Sequence, residues 1–191
     1  MIDIRRLETS DIEEIVQIQF TNKLDWWRPR DYEKEIERED TLSYVAKSKE
    51  TTAGFIISRL IIHKNHQNFK LKTGDQNKGN QPKTEIEIEI EIYNIAVEKS
   101  FRKQGIGTTL IEKIIQKSLE SKPSSISVWL EVRASNSSAI SFYLKNGFGK
   151  VYQRKNFYRH PPEDAIVMKK TVIKSVIKKA ESFIKLENLQ T

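Results

Sequence analysis

The sequence predicts a mixed α/β (α+β) domain, with a sheet of about seven strands flanked by helices. Three observations carry that prediction. Segments with strict period-two alternation, above all "TEIEIEIEIY" from Thr84 to Tyr93, read as strands. Segments with apolar residues three and four apart, such as Leu110, Ile111, Ile114, Ile115 and Leu119, read as helices. The chain of 191 residues is long enough for one domain with a sizeable core.

The elements follow in order. "MIDIRRL" is a short first strand. "TSDIEEIVQIQF" opens a helix, with Ser10 as the expected N-cap and Glu13 completing a capping box. A loop holding Trp26, Trp27 and Pro29 leads to a short charged helix from about Asp31. "LSYVAKS" and "TAGFIISRLIIHK" are two strands joined near Glu50–Thr52. Residues 65–83 are rich in Asn, Gln, Lys and Gly, cannot bury enough to offset their ordering entropy, and are expected to form a mobile inserted loop. "EIEIEIEIYNIAV" is a long strand, and "SISVWLEVRAS" another. Between them "FRKQGIGTTLIEKIIQKSLES" is a glycine turn and a helix. "NSSAISFYLKNGF" is a helix with Gly147 closing it. Two strands around Pro161-Pro162 complete a domain expected over residues 1–170, and residues 171–191 read as a basic amphipathic helical extension.

Composition bounds the function. The absence of Cys removes disulfides, thiolate ligands and Cys nucleophiles, and fits a reducing, cytoplasmic location. With His63, His66 and His160 scattered, no metal is expected. The N-terminus lacks the apolar stretch of a signal peptide, and no run is long enough to span a membrane. The net charge of +7 fits either an anionic partner or a solubilising surface; charge alone does not choose.

Chemistry concentrates at Arg102-Lys103-Gln104-Gly105-Ile106-Gly107. A strand runs into a glycine turn and then a helix N-terminus, whose free N–H groups suit a pyrophosphate. It is not a P-loop, because no Gly-Lys-Ser/Thr follows, and it lacks the third glycine of a dinucleotide fingerprint.

Arg-x-x-Gly-x-Gly after "NIAV", followed by "LEVRASNSSAISFYLKNGF" and "RKNFY…EDAIVM", resembles the GCN5-related N-acetyltransferase (GNAT) family over residues 1–170. The likeness is to its N-terminal acetyltransferase branch, bacterial ribosomal-protein-alanine and archaeal N-alpha. The resemblance implies a mostly antiparallel, splayed sheet. It implies acetyl-CoA as co-substrate, held by the backbone of Ile95, Ala96 and Val97, by Arg102, Lys103, Gln104, Gly105, Ile106, Gly107 and Thr108, and by Asn136. It implies Glu131 as general base and Tyr143 as general acid. Apolar neighbours Trp129, Leu130 and Val132 are expected to surround Glu131. Trp26, Trp27 and Tyr158 are expected to contact the acceptor peptide, where the branch often carries Tyr-Tyr and this chain has Phe157-Tyr158.

Within the Glu-Ile repeat, Glu85 and Glu87 are expected on a solvated sheet edge, and Glu89 on the peptide channel. Glu91 is expected on one face with Tyr93, Ile95 and Val97, as a catalytic partner that relays the amine's proton with Glu131. The implied partners are protein or peptide N-termini, with a ribosome or an auxiliary subunit as further candidates and no nucleic-acid specificity. Two other readings compete: a GNAT acting on a lysine side chain or small amine, and a non-catalytic CoA-binding or ribosome-associated module.

Overall fold

A computed structural model describes residues 1–22, 24, 27–66 and 84–173. In chain order the elements are β1 (Ile2–Arg6), α1 (Ile12–Thr21), α2 (Pro29–Ile36), β2 (Tyr44–Ser48), β3 (Thr51–His66), β4 (Thr84–Val97), α3 (Ile106–Leu119), β5 (Ser125–Arg133), α4 (Ser137–Lys145), β6 (Gly149–Arg159) and β7 (Pro162–Ile173). Seven strands form one sheet in the order β1-β2-β3-β4-β5-β7-β6. Every pairing is antiparallel except β4 with β5. Residues 67–83 of the loop expected at 65–83, residues 174–191 of the expected extension, and Trp26 lie outside the described residues; Asn65 and His66 belong to β3, paired with Glu85 and Thr84, so the loop does not begin at Asn65.

The sheet is covered on both faces. Ile106, Leu110, Ile111 and Ile114 of α3, with Ile140 and Tyr143 of α4, pack on Ile88, Ile90, Ile92, Ile126, Val128 and Leu130. On the other face Ile12, Ile15 and Ile18 of α1 and Tyr32 of α2 pack on Val45, Phe55, Ile57 and Ala96. This second layer contacts β2, β3 and only the C-terminal end of β4. The open remainder of that face is where a cavity forms.

Four further expectations are corrected. The first helix starts with a 3-10 turn at Thr9–Asp11, and its capping box joins Glu8 to Asp11 rather than Ser10 to Glu13. Tertiary contacts decide this, because Asp11 is 1% exposed and also binds Arg5 at 2.7 Å and Lys47 at 3.1 Å. Glu87 is not on an edge: β4 lies between β3 and β5, with Glu87 opposite both His63 and Ser125, whereas Glu85 pairs with Asn65 of β3 and precedes the first β5 pair. Residues 171–173 are strand, paired with Ser125–Ser127, so a helix does not begin at Thr171. Finally, the alternation of β4 breaks at Tyr93. Ile92 pairs with Ser58 and Asn94 with Ile57, so Tyr93 is the extra residue of a β-bulge. Tyr93 and Asn94 therefore point to the same side, toward α1 and α2. Ile95 and Val97 turn to the opposite face and join the α3–α4 core. Glu91 shares a face with Tyr93 but not with Ile95 and Val97.

The Asp11 cluster makes a stability prediction. Burial pushes its carboxyl upward, but bonds from Arg5, the Glu8 N–H and Lys47 outweigh that and hold it below the usual carboxylate range. A folded-state value below the unfolded one means the stabilisation is present above about pH 4 and is lost as pH falls. Asp11→Asn is expected to lower unfolding free energy by about 3 kcal/mol at neutral pH, because two cations lose their buried counter-charge. The deficit should shrink on acidification. Urea unfolding at pH 7 and pH 3.5 measures both.

Candidate active site

The sheet comes apart in the middle. Parallel pairing of β4 with β5 ends at Ile92↔Leu130. Beyond it β4 stays on β3 as far as Val97↔Gly54, and β5 stays on β7 as far as Arg133↔Ala165. The strands part where the Tyr93 bulge bends and twists β4. A wedge results. The β5-facing backbone of residues 93–97 has no strand partner among the described residues, although the Val97 carbonyl accepts from Arg102 Nε at 3.2 Å. Such an edge can take an extended ligand arm as an added strand.

The loop after β4 ends at the N-terminus of α3. Lys103 (φ 62°) and Gly105 (φ 81°) both adopt left-handed backbone, which lets the chain turn sharply into the helix. The first bond returning to this turn is Thr109 N–H to Gly105 O, so the N–H groups of Ile106, Gly107 and Thr108 precede the helical ladder. Gly107 is buried, and a Cβ there would sit 2.9 Å from Phe142 Cζ. Its lack of a side chain lets α3 pack on Phe142 of α4. Arg102 also binds the side-chain oxygen of Asn22 at the end of α1, so it braces the loop. Lys103 and Gln104 are exposed, and Gln104 Nε2 donates to Ser100 O at 3.3 Å. Asn136 caps α4, its Oδ1 accepting from Ala139 N–H at 3.1 Å.

Next to the wedge is a cavity of about 330 Å³, on the face that α1 and α2 leave open. Three carboxylates line it: Glu89, Glu91 and Glu131. Each is held differently. Glu91 Oε2 accepts from the Tyr93 hydroxyl at 2.6 Å. Glu89 lies 3.5 Å from His63 Nε2. Glu131 Oε1 accepts from Arg154 of β6, which also lines the cavity. This corrects part of the expectation of apolar surroundings: Trp129 does line the cavity with Glu131, but the carboxylate is paired with a cation. Leu130 and Val132 point into the α3–α4 core, while Glu131 points the opposite way, toward β6. Trp129, on the same side, lies under Lys169 at 4.5 Å.

Tyr143 approaches from the opposite side of the sheet. Its ring packs 5.3 Å from Phe142 and 5.6 Å from Phe148. Burial, reinforced by the nearby Tyr158, pushes its hydroxyl well above the usual tyrosine range, so it stays protonated. Tyr158 stacks under Arg133 at 4.0 Å in the β6–β7 hairpin. Arg133 further binds the carbonyls of His160 and Pro161. Glu163 accepts from Ser135 N–H, and Asp164 from Asn156 N–H and Gln153, which orders the same hairpin. Trp27 does not line the cavity. Its backbone is clamped by the buried Gln19 through bonds of 3.0 and 3.1 Å, and its ring lies 6.4 Å from Tyr93.

The acetyltransferase (GNAT) family model matches residues 9–148. The chain belongs to the GNAT family. Among curated relatives, a [ribosomal protein bS18]-alanine N-acetyltransferase of Salmonella typhimurium is 42% identical over 82 residues, 42% of this chain and 54% of that protein. The chain thus spans about half the length of the first curated relatives it matches. An N-alpha-acetyltransferase of Sulfolobus acidocaldarius is 29% identical over 165 residues, 86% of this chain and 89% of that one. In structure, the ribosomal-protein-S18-alanine N-acetyltransferase of Escherichia coli superposes with a TM-score of 0.67 at 26% identity, covering 91% of this chain and 95% of that chain. Arabidopsis thaliana NAA60 in complex with acetyl-CoA shares the fold, with a TM-score of 0.69 at 20% identity over 90% of this chain and 99% of that one.

Several residues of this GNAT site escape sequence reasoning. Arg154 and Tyr152 reach the cavity from a strand whose register slips twice. Arg59 and Glu35, which support Tyr93, are distant from it in sequence. Gly54 had a usable signal: an isolated glycine within a strand pattern marks a close backbone approach. Here a Cβ would meet Ala96 O at 2.7 Å.

Proposed function

We propose that this GNAT protein is a cytoplasmic N-alpha-acetyltransferase, using acetyl-CoA to acetylate the free α-amine of protein N-termini, ribosomal proteins included. The observation that carries this reading is the placement of Glu91 and Glu131 in one cavity beside the β4–β5 wedge. The named activities of the relatives support it.

The wedge and the loop fit the co-substrate. The free edge at Ile95, Ala96 and Val97 suits an amide-bearing arm, and the N–H groups from Lys103 to Thr108 suit a pyrophosphate. Asn136, the N-cap of α4, is the further side chain assigned to the co-substrate. When bound, acetyl-CoA supplies a thioester-activated acetyl group. The residues of the chain handle the protons. Glu131 takes the proton that the substrate ammonium must lose before its nitrogen can form the C–N bond, and Glu91 passes that proton to solvent at the open side of the cavity. Glu131 Oε2 and Glu91 Oε1 take no protein donor among the described residues, which leaves an acceptor oxygen on each. Tyr143 donates its proton to the sulfur released as the C–S bond breaks. No covalent enzyme intermediate is required. Tyr158, at the hairpin end of the strand that carries Arg154, remains the candidate for a peptide contact beyond the cavity.

A panel of synthetic peptides varying the first two residues, with acetyl-CoA, tests the reading. Turnover of at least a subset is expected; no turnover with any α-amine would sink it. A lysine side chain or a small amine is the competing acceptor.

A further inference from the structure

We propose that Tyr93 is a positioning residue that fixes the Glu91 carboxylate for proton transfer; this rests on the acetyltransferase reading above. Four observations converge on it. The β-bulge takes Tyr93 out of strand pairing and leaves its ring 39% exposed on the face of Glu91. Its hydroxyl donates to Glu91 Oε2 at 2.6 Å. Its ring carries the Arg59 guanidinium 4.5 Å from the centroid, with Trp27 beside it at 6.4 Å. Arg59 is in turn gripped by Glu35, 2% exposed, through bonds of 2.9 Å from Nε and 2.6 Å from Nη2.

The chain Glu35–Arg59–Tyr93–Glu91 thus runs from α2 to the cavity. A buried ion pair anchors it at one end and a carboxylate facing the cavity ends it. A glutamate has three side-chain torsions, so a carboxylate on an open sheet face samples several positions unless something holds it. The phenol holds one oxygen and leaves the other for the proton. Burial, and then the bond to Glu91, push the Tyr93 hydroxyl up to about 12, so it remains a donor across the working pH range. The same chain joins the α2 side of the substrate loop to the reacting centre. Nothing in the alternating sequence marks Tyr93 for this task; the bulge does.

Tyr93→Phe retains the ring and with it the Arg59 and Trp27 contacts, and removes only the hydroxyl. For a peptide that the wild type acetylates, kcat is expected to fall about 10-fold, the loss that corresponds to one hydrogen bond. KM for acetyl-CoA and the unfolding midpoint are expected to stay near wild type. In a Glu91→Gln background the same exchange should cause no further loss, because the two act as a unit. Unchanged kcat in Tyr93→Phe, a loss confined to KM, or a further 10-fold loss on top of Glu91→Gln would overturn the proposal. Wild-type turnover with any of those results overturns positioning alone. A wild type inactive on every α-amine overturns the acetyltransferase reading and this proposal with it.

Discussion

Glu131→Gln is expected to reduce kcat by about 10²- to 10⁴-fold, the range typical of a lost general base. The exchange is nearly isosteric. It keeps a side chain of the same length beside Arg154, which is about half exposed and returns to solvent when its counter-charge goes. Stability should therefore change by less than about 1 kcal/mol. Acetyl-CoA affinity should be unaffected, because the wedge backbone at Ile95–Val97 and the turn before α3 lie beyond the point where β4 and β5 part. Single-turnover kinetics and a binding titration of the same preparation separate the two effects. A variant with wild-type kcat would remove Glu131 from the base role and leave Glu91 as the remaining acceptor near the wedge.

The second large effect is expected at a residue with no chemistry of its own. Gly54 faces Val97 across the β3–β4 ladder. A Cβ there would lie 2.7 Å from Ala96 O and 3.3 Å from Val97 Cα. Those are backbone atoms, so rotating a side chain cannot relieve the clash; β4 itself must move. Gly54→Ala is expected to cost about 1–3 kcal/mol of stability, as overpacking in a closed interior does. It should also weaken acetyl-CoA binding about 10-fold if, as proposed, the displaced segment takes the amide-bearing arm of the co-substrate. Affinity at the wild-type level in a variant that is measurably destabilised would show that the Ala96–Val97 backbone does not carry the co-substrate.

The sequence makes the order of elements legible because apolar spacing encodes it directly. The long strand, the glycine turn and the α3 stripe are all where periodicity puts them. The face of each residue in β4 is legible only as far as Tyr93. A bulge of this kind demands no special residue, and its position is set by pairing with Ile57 and Ser58 more than thirty positions earlier. Counting by twos therefore puts Ile95 on the wrong side. The environment of Glu131 fails for a similar reason. Its immediate neighbours Leu130 and Val132 are apolar, but in a strand they face the other way, and its actual partner Arg154 comes from β6. The cap at Asp11 is chosen by Arg5 and Lys47, which a local capping pattern does not contain. What sequence reasoning reads well are contacts along the chain. The site is built from contacts across it.

The most direct test of the account is to locate the acetyl group. A peptide with a free α-amine and an internal lysine, incubated with the protein and acetyl-CoA, can be fragmented by tandem mass spectrometry. The added acetyl is expected on the α-nitrogen, with none on the lysine Nζ. Acetyl found on Nζ, or transfer undiminished when the α-amine is formylated beforehand, would contradict it.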